Sequence, residues 1–126
     1  MAEVVAFGEC MVEVGLTGCP GPAAVGFGGD TFNAAVYLRR LGLSVAYGTA
    51  VGGEDPFSEG ILKLMADEGM DTVLVRRVAG RLPGLYAIDR DLAGERRFFY
   101  WRAESPAREF FMLADREALR AAVTRA

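Results

Sequence analysis

The stretch Gly26–Gly52, "GFGGDTFNAAVYLRRLGLSVAYGTAVG", holds a glycine turn, a helical pattern and a buried-strand pattern in immediate succession. After Gly29, apolar residues fall at Phe32, Ala35, Val36, Leu38 and Leu41, the spacing of one helix face. Asp30 or Thr31 is placed to cap its start, and Gly42 to end it. "LSVAYGTAVG" follows as a short, nearly continuous apolar run, the signature of a strand covered on both faces. A helix leading directly into such a strand is half of a βαβ unit.

Upstream, Glu3–Gly8 is a second continuous apolar run, read as a central parallel strand. Met11–Leu16 alternates, with Met11, Glu13 and Gly15 on one side and Val12, Val14 and Leu16 on the other. "TGCPGP" then breaks it. Downstream, Asp55 as cap and Pro56 at the first helical position open a helix closed by Gly69, and "DTVLVRRV" supplies a third short strand. The order implies βαβ units and a doubly wound parallel sheet. Residues 83–102 depart from that rhythm: "PGLYAIDR", "DLAG" and "ERRFFYWR" read as two alternating strands and a turn. Together with the Met11–Leu16 strand they predict a small antiparallel sheet projecting from the core, with its strands near 10–27 and 83–102. "LADREALRAAVTRA" is an amphipathic helix whose pattern stops at the chain end with no following strand. Residues 1–126 are therefore expected to form a single, incomplete α/β domain.

Bulk properties narrow the chemistry. A length of 126 residues is one domain's worth, and 52% hydrophobic with 25% charged residues specifies a globular chain. The net charge of −3 and scattered arginines give no footprint for nucleic acid. No secretory leader pattern or membrane-length apolar run occurs, so a cytoplasmic location is expected. Two cysteines, Cys10 and Cys19, and no histidine exclude Cys/His zinc patterns and His-based nucleophile pairs, and reduced, structural thiols are expected.

Three features are candidates for ligand contact. The glycine turn fails both phosphate-loop patterns: there is no Gly-Lys pair, and Thr31 stands where GxGxxG needs its third glycine. What remains is a helix start at which Gly29, Asp30 and Asn33 can meet a hydroxyl-rich ligand, or simply a tight helix entry. In the hairpin, alternation puts Tyr100 and Arg102 on one face, and Tyr86 joins them if even-numbered residues pair with even-numbered ones. Two phenols and a guanidinium would suit a sugar acid; cross-strand aromatic packing beside a surface arginine is the competing reading. Phe99 and Trp101, on the other face, are expected in the core or against a partner. Glu13 lies just past the carboxyl end of the first strand, where α/β proteins place ligand contacts, or it is a solvent-facing residue on an edge strand.

"FGECMVEV", "FGGDTFNAAVYLRRLG", "VGGEDPFSEGIL" and "RLPGLYAIDRDLAGERRFFYWR" together resemble the N-terminal part of the ribokinase-like carbohydrate kinases, and within them the branch acting on 2-keto-3-deoxygluconate. The likeness fades only in the last dozen residues. It implies an α/β core with a β lid and transfer of the γ-phosphoryl of ATP, with Mg²⁺, to the 6-hydroxyl of that sugar acid. It also implies substrate contacts at Gly29, Asp30, Asn33, Tyr86, Tyr100, Arg102 and, more weakly, Glu13, and a homodimer formed through the lid. The family's catalytic Asp, in a "DTxGAGD"-type segment, has no counterpart here. This chain is thus expected to hold no catalytic base, no metal site and no tight nucleotide site, and to be inactive alone. The alternative is a small α/β binding or dimerisation module without catalytic activity.

Overall fold

A computed structural model describes all residues, Met1–Ala126. The chain forms two sheets. The first has three parallel strands in the order β1 (Val4–Phe7), β4 (Val45–Gly52), β5 (Val75–Val78). Every residue of β4 is buried, as its unbroken apolar run requires, because helices cover both faces. On one face lie α1 (Asp30–Arg40) and α2 (Pro56–Asp67), which bring Phe32, Ile61 and Met65 against Val45, Tyr47 and Val51. Phe32 meets the Tyr47 ring edge-on at 5.5 Å. On the other, a 3₁₀ turn (Pro106–Glu109), α3 (Phe110–Leu113) and α4 (Arg116–Arg125) cluster Phe110 and Leu119 with Ala46, Leu74, Val5 and Phe7. Burying a side chain such as Phe32 or Ile61 contributes about 1.5–3 kcal/mol, so this layered core is what fixes the frame for the site.

The second sheet has four strands in the order β3 (Ala23–Gly28), β2 (Met11–Leu16), β6 (Leu85–Arg90), β7 (Arg96–Trp101). The β3–β2 and β6–β7 pairs are antiparallel, but β2 and β6 run parallel, with Glu13 opposite Tyr86. The sheet is therefore mixed rather than purely antiparallel. Two hairpins entering from the same side of the core meet along β2 and β6, and that common entry imposes the parallel pair.

Other expectations are corrected. β1 is at the margin of its sheet, and β4 takes the central place. Gly29 is the N-cap of α1, with no side chain capping it; Asp30 sits in the first turn, and the Thr31 hydroxyl pairs with the Tyr47 hydroxyl at 2.8 Å. β5 begins at Val75; Asp71 contributes only an isolated bridge to Ala46. Of the two places expected for Phe99 and Trp101, the core is excluded, as they are 45% and 63% exposed. Asp55 does cap α2, its carboxylate accepting from the Ser58 amide at 2.8 Å with Pro56 next in line. Both cysteines are free, and burial pushes the Cys10 thiol well above the ordinary range.

Candidate functional site

Two connections join the sheets after β5, one running into β6 and one out of β7. Arg81, on the first, donates to the Glu104 carbonyl on the second at 2.8 Å and pairs with Glu109. This bracing holds one face of the second sheet opposite the start of α1. A cleft of about 370 Å³ lies between them.

The α1 side of the cleft is built by Gly28 and Gly29. A side chain at Gly29 would stand 2.2 Å from the Glu9 carbonyl oxygen, and one at Gly28 would stand 2.7 Å from the Tyr86 hydroxyl. The chain passes through a gap that admits only backbone, and the space is filled by protein groups. The turn is closed against the second sheet and is not a phosphate cradle. Beyond it, Asp30 and Asn33 expose their side chains to the cleft, one turn apart on α1.

The sheet side is set by register. Tyr86 stands directly opposite Tyr100 and Ile88 opposite Phe98, so the even-numbered residues share a face. Tyr86, Phe98 and Tyr100 form an aromatic floor with ring centroids 5.9–6.4 Å apart. Glu13 is not on an edge strand: β2 is interior, and the Glu13 carboxylate accepts a hydrogen bond from the Tyr86 hydroxyl at 2.6 Å. Burial, reinforced by that carboxylate, raises the Tyr86 phenol well above the ordinary tyrosine range. Tyr86 is therefore a fixed donor to Glu13 at physiological pH.

Six of the seven expected residues, Glu13, Gly29, Asp30, Asn33, Tyr86 and Tyr100, line this one cleft. Arg102 does not. Its guanidinium lies 5.8 Å from the centre of the Tyr100 ring and 3.2 Å from the Glu9 carboxylate, and it opens instead on a larger, mostly apolar cavity of about 830 Å³ with Val12, Phe57, Leu82 and Trp101. Arg96, absent from the sequence-based set, does line the cleft. The alternation that placed Tyr100 and Arg102 together puts Arg96 on the same face, four residues before Tyr100, so the signal was there to read.

No three acidic, cysteine or histidine side chains come close enough to hold a cation, and the glycine turn is filled. What the cleft can do is receive hydroxyls: Asp30 accepts, Asn33 both donates and accepts, and the aromatic floor can carry the C–H faces of a sugar.

Residues 1–123 match the family described as pfkB family carbohydrate kinase. The chain is 42% identical over 120 residues to 2-dehydro-3-deoxygluconokinase of Escherichia coli K12, covering 92% of this chain and 38% of that protein. It is 40% identical over 121 residues to the enzyme of the same name from Dickeya dadantii, again with 38% of the relative covered. Among solved structures, a fructokinase from Xylella fastidiosa with bound ATP superposes with a TM-score of 0.74 at 25% identity, over 85% of this chain and 33% of that one. The chain thus spans about 38% of the length of the curated relatives it matches.

Proposed function

The chain belongs to the pfkB family of carbohydrate kinases, and from that premise we propose that it is the sugar-acid-binding and lid portion of an ATP-dependent kinase. The substrate is 2-keto-3-deoxygluconate (2-dehydro-3-deoxygluconate), phosphorylated at its 6-hydroxyl. The observation that carries this reading is the single cleft into which β2, β6 and β7 bring Glu13, Tyr86 and Tyr100 opposite Gly29, Asp30 and Asn33. The relatives at 40–42% identity support the choice of substrate.

In this reading the chain binds and orients. Asp30 and Asn33 take sugar hydroxyls, and Tyr100 and the Glu13–Tyr86 pair form the wall facing them. Arg102, engaged by Glu9, opens on the neighbouring cavity and stands outside this binding role. ATP supplies the phosphoryl group and Mg²⁺ offsets its charge when both are bound to the whole protein. No transfer step falls to the residues of this chain, which supply neither base nor metal ligands and are inactive alone. The four-stranded sheet serves as the lid over the sugar.

A second reading, a dimerisation module without catalysis, draws on the outer face of the same sheet, where Phe99 and Trp101 are exposed. The two are compatible if a homodimer forms through the lid.

Titration calorimetry with the 126-residue chain separates them. Binding of 2-keto-3-deoxygluconate, tighter than of glucose and indifferent to ATP, is expected, and Asn33→Ala should weaken it about five- to tenfold through the lost hydrogen bonds. Equal affinity for glucose and the sugar acid, or an Asn33→Ala variant that binds like wild type, would leave only the dimerisation module.

A further inference from the structure

One face of β7 reads Arg96, Phe98, Tyr100, and Arg102 follows in phase, so two guanidiniums flank two aromatic rings. Each lies 5.8 Å from the centre of the neighbouring ring, Arg96 at Phe98 and Arg102 at Tyr100. Their partners differ. Arg102 is engaged by Glu9, whose side chain is only 11% exposed, and it opens on the other cavity. Arg97, the neighbour of Arg96, points to the opposite face and pairs with Asp89. The Arg96 guanidinium enters no ion pair and no side-chain hydrogen bond.

Arg96 is also the only cation lining the cleft, which otherwise carries the carboxylates of Glu13 and Asp30. An anionic sugar entering without Arg96 would face two like charges in a partly enclosed space, which disfavours an acid and favours a neutral sugar. With Arg96 present, an unpaired planar fork stands ready for a carboxylate, at the end of the aromatic floor away from Arg102.

We propose that Arg96 is a specificity-determining residue of the cleft: it receives the carboxylate of the substrate and makes the site select a sugar acid over a neutral sugar. The inference rests on the sugar-acid reading given above and adds to it the group that reads the charge. The carboxylate lies toward Arg96 and the hydroxyl-bearing carbons toward Asp30 and Asn33.

The test is calorimetric titration of the 126-residue chain with 2-keto-3-deoxygluconate and with its uncharged C1 amide, at low and high salt. Wild type is expected to prefer the acid, less so as salt rises. Arg96→Gln should lose about tenfold or more in affinity for the acid, the worth of a charge-assisted hydrogen bond, while its affinity for the amide stays unchanged. Arg96→Lys, with the charge but not the fork, should keep part of the preference, and its folding is not in question at an exposed strand position. An Arg96→Gln variant that still prefers the acid, with the preference lost instead in Arg102→Gln, would overturn the assignment of Arg96 and leave the sugar-acid reading standing. A wild-type chain indifferent to acid and amide would overturn both.

Discussion

At the scale of single residues, the pair Glu13–Tyr86 is the best-determined part of the site, because β2 and β6 are in register at these two positions and the phenol donates to the carboxylate at 2.6 Å. Tyr86 is 9% exposed, and burial comes first in raising its pKa, the hydrogen bond to the Glu13 carboxylate second. Tyr47 is raised as well, again chiefly by burial. A group whose folded pKa exceeds its unfolded value of about 10 contributes fully below that value and is lost as pH climbs through the folded one. The stability of the chain should accordingly fall above pH of about 10, and Tyr86→Phe should make that fall shallower. In an ultraviolet titration of the phenols, the same variant should remove one late-ionising tyrosine; an unchanged late class would contradict the hydrogen bond. Tyr100 and Arg102 could be grouped from sequence because strand alternation is local, with Tyr86 joining them only on the register that the fold supplies, but that Arg102 belongs to Glu9 could not, since Glu9 is 93 residues away in the chain and arrives only through the fold. Arg96 is the reverse case: its parity with Tyr100 is legible in the strand alternation alone.

Among the elements, the turn into α1 carries the clearest consequence. Its helix, its apolar face and its closing Gly42 follow from local spacing, and so does the strand β4 after it. The way in does not, because the group that demands glycine at position 29 is the Glu9 carbonyl, fixed backbone from another segment. Gly29→Ala forces a contact that neither side can relieve by a rotamer change, and should destabilise the chain by about 1–3 kcal/mol, as overpacking does. Gly28→Ala meets only the tip of Tyr86, which can swing, so it should melt near wild type while weakening sugar-acid binding through the displaced Tyr86–Glu13 pair. Thermal melts and calorimetry on the two variants check the contrast; equal losses of stability would mean the turn is less closely packed than described. The parallel pairing of β2 with β6 has the same lesson. Each strand was legible in outline, but the direction in which distant strands meet depends on where the core launches them, and no local pattern encodes that.

Over the whole molecule, the two faces of the second sheet differ in what stands before their exposed rings. On the inner face Phe98 and Tyr100, 44% and 53% exposed, look into the cleft, whereas Phe99 and Trp101 stand on the outer face, all of them on the edge strand β7. A large apolar patch on a strand edge is unfavourable to leave bare and pairs readily with another sheet. A second such area lies around α3, where Phe111 and Met112 are 64% and 84% exposed beside the margin strand β1. Both can drive association, but they differ in what they would do to the site: a contact through β7 sits on the back of the cleft wall, and a contact through α3 sits on the opposite side of the core from α1. If the sheet is the interface, Trp101→Ala should weaken self-association about tenfold, as loss of an aromatic anchor does, without changing sugar-acid affinity. Phe111→Ser should then leave the dimer intact. Light scattering across a concentration series reads both, and dissociation by Phe111→Ser with no effect of Trp101→Ala would move the interface to the α3 face and leave the outer sheet surface without a partner.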